Sequence, residues 1–310
     1  MPQRLPLSEL IEKNQKMKFG IQTGFGKGDP LNLPVHMTAI GKGAEERGFN
    51  SIWAPEHVLQ FTEYRSPYPY SDDGVPPLRT DQGILGPFTT LTFLAAHTKT
   101  LRLGTGIAIL PQHNPVYFAK HVADVDVLSG GRLIVGIGTG WLEQEFDALQ
   151  VPFEHRGSRT RDYLQMMKSL WEDKISSFDG KYYKLPESIQ LPKPVQKPHP
   201  PLFFGGESNP ALRRVAQFGQ GWMGYRLTPD TLPERLEKLT AMLKEHGRTL
   251  DEIELSISPY DKPCDLDMVK RFSDLGVKQI IVMLAPDSTD KMINALDAYA
   301  EELVIPAAKT

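Results

Sequence analysis

Cysteine is nearly absent from this 310-residue chain, where Cys264 stands alone. A single cysteine cannot form an intrachain disulfide and fits a reducing, cytoplasmic setting. A surface position or a helix start suits Cys264 better than the role of a nucleophile. Charge of one sign is scarce as well. Lysine and arginine number 35 against 38 acidic residues, a formal net charge of -3. Nothing electrostatic therefore recommends nucleic acid or an anionic membrane surface as a partner. Long apolar runs are missing too: a stretch such as Ile280 to Ala285 falls far short of the roughly 20 residues a spanning helix needs. The first residues carry Arg4, Glu9, Glu12, Lys13 and Lys16 without an apolar core, which argues against a secretory signal. Residues before Met17 read as an extension outside the folded unit.

What the chain does have is rhythm. Short apolar or β-branched runs alternate with amphipathic helical patterns, on a hydrophobic content of 40%. Strands are expected at Phe19 to Gln22, Ser51 to Trp53, Leu101 to Ile109, Leu133 to Gly138, Leu202 to Phe204, Gly221 to Met223, Ile253 to Ser258 and Gln279 to Met283. A helical pattern follows each of them. The runs at 101–109 and 133–138 are apolar enough to be covered on both faces, as in a parallel sheet. Eight strand–helix repeats in one domain predict an α/β fold of the TIM (β/α)8 barrel type. An open doubly wound sheet would leave two or three of the units without a place.

Two segments break the rhythm. Residues 58–86 are polar and rich in Pro, Tyr and Asp; residues 174–200 carry paired tyrosines and five prolines. Long insertions in compact domains are usually functional, and on a barrel the active site lies at the C-terminal face of the strands. The first segment is expected to form a lid there. For the second, a lid and a packing or dimer arm stand equal.

Several residues in strand-end positions bear chemistry. Glu56 and His57 follow the second strand, where a histidine can move a proton near neutral pH and a neighbouring carboxylate can orient it. A histidine that merely caps the loop is the plain alternative. Gly205-Gly206-Glu207-Ser208 follows Leu202-Phe-Phe204 and opens a helix. Freed backbone amides, a hydroxyl and a helix N-terminus together make an anion seat. Gly136-Ile-Gly-Thr-Gly-Trp141 ends the fourth strand without the third glycine and acidic residue of a dinucleotide fingerprint, so its glycines are expected to let backbone approach a flat ring. A Schiff-base lyase lacks an inward lysine, and His97, His113 and His121 are too scattered for a metal-ligand set. A glycosidase pairing Glu56 with Glu207 has no sugar-stacking context beyond the tyrosine-rich loop.

From Phe19 to about Leu303 the chain resembles the bacterial luciferase-like flavin and deazaflavin oxidoreductases. The likeness is carried by Leu103-Gly-Thr-Gly-Ile-Ala-Ile-Leu-Pro111, by Asn114-Pro-Val, by Leu128 to Gly138, and by Trp53-x-x-Glu56-His57. The resemblance implies that His57, with Glu56 beside it, is the active-site acid or base. It implies a cis peptide at Gly106–Ile107 against the cofactor ring, cofactor contacts from Gly138 and Thr139, and a phosphate seat at Gly205, Gly206, Glu207 and Ser208. One departure stands out. Where luciferases carry a phosphate-gripping arginine this chain has Tyr117, which leaves the phosphate to Ser208, backbone amides and the Tyr117 hydroxyl.

The same resemblance implies one of two cofactors. Coenzyme F420, a deazaflavin and strict hydride carrier, is favoured by the Ser66-Pro-Tyr-Pro-Tyr70 segment with Asp72-Asp-Gly74, by Glu145-Phe and His155-Arg-Gly157, and by the missing arginine. FMN, in a two-component monooxygenase fed by a separate reductase, is the alternative. A flavin-binding barrel without catalysis is the alternative of another class. Tyr64, Arg65, Tyr68, Tyr70 and Trp222 are expected to shape a pocket for a small organic substrate, with plain lid packing as the rival account. Family likeness also implies a homodimer.

Overall fold

Eight parallel strands close on themselves in the structure, a computed structural model that describes residues 17–25, 31–78, 83–285 and 287–308. Strand β1 (Lys18–Gln22) pairs with β2 (Ser51–Ala54) on one side and β11 (Gln279–Met283) on the other. From β2 the sheet continues through β3 (Arg102–Thr105) to β5 (Leu133–Gly138), and β5 pairs with β8 (Leu202–Gly205). Strands β9 (Gly221–Tyr225) and β10 (Glu254–Ser258) complete the ring to β11. The third barrel strand is interrupted: β3 resumes as the short β4 (Ala108–Ile109), and the Gly106–Ile107 peptide between them is cis, as the resemblance implies. Every residue of β5 is buried, because its outward face lies under helices and its inward face fills the barrel.

Helices α1 (Leu33–Glu46), α2 (Pro87–His97), α3 (Pro115–Ser129), α4 (Glu143–Ala148), α5 (Arg156–Glu172), α6 (Asn209–Phe218), α7 (Leu232–Glu245), α8 (Leu266–Asp274) and α9 (Thr289–Tyr299) surround the strands. The boundaries of α3 follow from its sequence. Pro115 supplies a preset first turn, the Asn114 side chain accepts from the amides of Val116 and Tyr117, and Gly130 ends the helix in the left-handed region at φ 67°. Inside the barrel Trp53, Ile134, Phe203, Met223 and Ile281 pack together, with Ile107 resting on them. Trp53 fits because position 104 is glycine: a Cβ there would run into its indole. Among the described residues no helix is long and apolar enough to cross a membrane.

The 174–200 segment forms a hairpin, β6 (Ser176–Asp179) against β7 (Lys184–Ser188), and then a proline-rich return. It follows α5, not a strand end, and packs on the outside of the barrel. Lys193 Nζ donates to the Leu170 carbonyl at 2.6 Å, and Gln190 Nε2 to that of Val116 at 3.2 Å. Of the two expectations the structure takes the packing arm. The first insertion does cover the strand ends, although residues 79–82 lie outside the described set, as does the N-terminal extension.

Asp126 anchors the arm. Its fully buried carboxylate accepts from the Gln196 amide at 2.9 Å and from Gln196 Nε2 at 2.7 Å, while Gln196 Nε2 also reaches the Leu133 carbonyl at 2.8 Å. Asp126→Ala strands those donors in the interior. The expected cost is about 1–3 kcal/mol, read as a lower urea midpoint at unchanged slope; an unchanged midpoint would show that the arm carries no stability.

Candidate active site

A cavity of about 930 Å³ opens at the C-terminal ends of the strands and is bounded by residues at or just past the ends of all eight, by the 58–78 loop and by the α4 region. That position and size suit a cofactor with a substrate beside it. Ile107 and Met223 line its floor, directly above the barrel's interior core. Gln22 holds this floor from β1, its Nε2 donating to the Gly106 carbonyl at 2.6 Å. Ile107 also accounts for two glycines. A Cβ at Gly138 or Gly205 would run into the Ile107 side chain, so the space these glycines leave is filled by an isoleucine. For Gly138 the sequence-based expectation, that it admits backbone to a flat ring, is corrected in this respect.

His57 lies at the cavity wall, but its carboxylate partner is Glu145 and not Glu56. The Nδ1 atom is 3.2 and 3.3 Å from the two Glu145 oxygens. Glu145 sits on α4 with only 2% of its side chain exposed. It also accepts from the amides of Val58 at 2.9 Å and Leu59 at 3.3 Å, and from Gln112 Nε2 at 3.4 Å. Burial alone would raise its pKa, yet the hydrogen bond and charge of His57, with the Leu59 amide and Gln112, outweigh burial and hold it below the usual glutamate value. With Nδ1 committed to a carboxylate, Nε2 is the ring nitrogen left for the cavity. Such a ring can take up or release a proton, and Glu145 holds it in place.

Glu56 is engaged elsewhere, accepting from the Ile109 amide at 2.6 Å and lying 3.0 Å from His113 Nε2. Sequence order suggested a Glu56–His57 pair because the two are adjacent. Glu56 is taken by the Ile109 amide and His113, and a carboxylate 88 positions away reaches the ring instead. Only Glu145-Phe within the family-like motif hinted at it.

The anion seat has more charge than its glycines suggested. Ser208 caps α6, its Oγ accepting from the Ala211 amide at 3.4 Å. Gly205, Gly206, Glu207, Ser208, Thr139 and Gly140 all line the cavity, and so do Arg156 and Arg214. Arg156 donates to the Gly140 carbonyl at 3.1 Å and lies over the Phe153 ring at 3.7 Å. Arg214 is 9% exposed and pairs with no carboxylate among the described residues. Burial, with the nearby charges of Arg161 and Arg156, pushes its pKa down to about 10. A buried, unpaired guanidinium beside a second one and a helix N-terminus fits an incoming phosphate. Sequence reasoning passed over Arg214, and Arg156 entered only within the His155-Arg-Gly157 motif.

The remaining expected residues divide. Tyr68 and Tyr70 line the cavity. Tyr117 does not: it is 69% exposed on the first turn of α3, tilted toward His121 with ring centroids 6.3 Å apart. Tyr64 lies outside it, packing edge-on against Phe61 at 6.1 Å, and Arg65 pairs with Asp147 at 2.8 Å on the surface. Trp222 is fully buried behind the strand and donates its indole N–H to the Gly206 carbonyl at 3.0 Å, so it steadies the anion seat from outside. Tyr225 and Tyr260, which were not anticipated, join Tyr68, Tyr70 and Trp141 in an aromatic wall. Cys264 lies just before α8, half-buried, and burial pushes its thiol up to about 12, which makes it inert near neutral pH.

The comparisons with known proteins agree with this architecture. Residues 17–260 match the family described as luciferase-like monooxygenase, and the chain belongs to that family; it is an oxidoreductase. An uncharacterized protein of Mycobacterium tuberculosis is 30% identical over 87% of this chain and 93% of its own length. The oxygenase component of the flavin-dependent trigonelline monooxygenase of Acinetobacter baylyi is 27% identical over 68% of this chain and 53% of its own. Among solved structures, the coenzyme F420-dependent tetrahydromethanopterin reductase of Methanopyrus kandleri superposes with a TM-score of 0.73 at 19% identity, covering 94% of this chain and 99% of that one. The last likeness is one of fold.

The depressed pKa of Glu145 links stability to pH. A carboxylate held below its unfolded value contributes stability fully above that value, about 4.3 for glutamate, and loses it as pH falls through the folded one. Glu145→Gln should therefore be less stable than wild type at pH 6, with the gap narrowing by pH 3. Urea unfolding at the two pH values checks this, and a gap independent of pH would contradict it.

Proposed function

We propose that the chain is an F420-dependent oxidoreductase that moves a hydride to or from a small organic substrate, with His57 as its acid and base. The observation that carries this reading is the His57–Glu145 pair at the wall of a cavity floored by Ile107. Bound there, the deazaflavin supplies a two-electron hydride acceptor or donor, and the protein supplies everything else. Arg156, Arg214, Ser208 and the backbone at 205–208 hold the phosphate. The floor of Ile107, set between Gly138 and Gly205, supports the ring. His57 takes the hydroxyl proton of an alcohol as it is oxidised and returns it to a carbonyl oxygen in the reverse direction. Glu145 holds the ring in place throughout. The 58–78 loop, held by Glu145 and Gln144 on α4, keeps water from the site.

A second reading is an FMN-dependent two-component monooxygenase, supplied with reduced flavin by a separate reductase. Two guanidinium groups at one seat suit the dianionic phosphate monoester of FMN at least as well as a phosphodiester, and the Acinetobacter relative is an oxygenase component. A barrel that only stores flavin has no use for a buried carboxylate–imidazole pair. Exposed apolar residues on α3, Tyr117 and Leu128, with Leu191 of the arm tied to that helix through Lys120, support pairing of two copies.

Parallel fluorescence titrations with F420 and FMN test the cofactor. Tight F420 and weak FMN binding is expected; the reverse selects the oxygenase, and binding of neither removes both readings. His57→Ala should lower kcat by about 10²–10⁴-fold with cofactor affinity unchanged. Arg214→Met should weaken binding of the phosphorylated cofactor by about tenfold or more and leave riboflavin-type analogues without phosphate unaffected.

A further inference from the structure

Three charged groups in the cavity lack an ion-pair partner among the described residues. Arg156 and Arg214 are two of them, and under the reading above the cofactor phosphate answers both. Glu207, of the opposite sign, is the third. Its Oε1 accepts from the Tyr225 amide at 2.6 Å, and the Tyr70 hydroxyl donates to the same carboxylate. Both donors are neutral. Burial, only partly offset by those bonds and by the charge of Arg235, which itself pairs with Glu234 at 3.5 Å, pushes this carboxyl up to about 7, the behaviour of a carboxylate without a cation in contact.

The surroundings of Glu207 are aromatic. Tyr70 and Tyr225 meet edge to face with centroids 4.7 Å apart, Tyr68 lies 5.6 Å from Tyr70, and Trp141 lies 5.3 Å from Tyr68. Burial raises the pKa of Tyr68, Tyr70 and Tyr225, so these rings stay uncharged phenols. The cationic side chains among the described lining residues, apart from His57, are Arg156 and Arg214, both at the anion seat. Arg226, outside the lining, is occupied by Asp72 at 2.9 Å and Asp261 at 3.5 Å. Aromatic faces beside a carboxylate form a recognition site for organic ammonium groups, whose diffuse charge is attracted to ring faces and which shed water easily.

We infer that this lobe takes a substrate bearing an organic cation, a quaternary or tertiary ammonium or an N-alkylated ring nitrogen, with Glu207 as counter-ion and the tyrosine wall around it. The inference rests on the proposed cofactor reading only in assigning Arg156 and Arg214 to the phosphate. A negatively charged substrate finds no partner at this end among the described residues.

Calorimetric titration of the cofactor-loaded enzyme with choline and with 3,3-dimethylbutan-1-ol, the same shape with carbon in place of nitrogen, provides the test. Choline should bind about tenfold tighter or more. Glu207→Gln keeps the side-chain size and an acceptor for Tyr225, and should abolish the preference. Equal or tighter binding of the alcohol by wild type overturns the inference, as does a preference that survives Glu207→Gln. The wild-type comparison decides even if the variant fails to fold. Should neither F420 nor FMN bind, the cofactor reading fails, and the same two ligands titrated into the cofactor-free protein still decide the charge preference.

Discussion

One buried carboxylate organises the upper face of this barrel. Glu145 takes hydrogen bonds from the ring of His57, from two amides of the covering loop and from Gln112. It thereby fixes the acid–base group and the loop that shields it in a single interaction set. A carboxylate so enclosed is tolerable only with its donors in place, and the donors come from two separate parts of the chain, residues 57–59 and Gln112. The short helix that carries it, α4, presents Gln144 and Asp147 to the same loop. Six residues of helix thus determine where the loop lies and which way the imidazole faces.

The cavity is divided electrostatically as well as sterically. Arg156 and Arg214 concentrate positive charge beside the N-terminus of α6, while Glu207 and the tyrosines create a region of the opposite character one strand further round. The strand–helix turn after β8 contributes to both. Ser208 turns back to cap the helix and Glu207 turns away toward β9, so adjacent residues serve different ends of one cavity.

Much of this was legible before any coordinates. Strand–helix alternation from Phe19 onward leads to the barrel, and the motif from Leu103 to Trp141 leads to the cis peptide and the glycine turns. What escaped were contacts between residues far apart in sequence. Glu145 reaches His57 across 88 positions, and nothing in spacing marks that pair. Arg214 looked like an ordinary charged position on an amphipathic helix, and only its burial sets it apart. Tyr117, Tyr64, Arg65 and Trp222 show the converse. Their residue types suited a pocket, but their positions on the first turn of α3, on the outer surface of the loop and behind β9 keep them out of it. The arm at 174–200 was ambiguous because length and proline content do not reveal whether a segment leaves a barrel from a strand or from a helix.

The interlock of Ile107 with Gly138 and Gly205 has a consequence for how this pocket can change over generations of variants. Three neighbouring strands share one volume, so none of the three positions is free to drift alone. A methyl group gained at either glycine needs a smaller or shifted side chain at 107, and a larger one at 107 can extend only into the cavity. Libraries that vary these sites singly will sample mostly dead ends, whereas joint randomisation gives access to reshaped floors. In an aligned set of descendants the three columns should covary as a block, while the aromatic wall opposite, whose rings share no such enclosed volume, diversifies position by position.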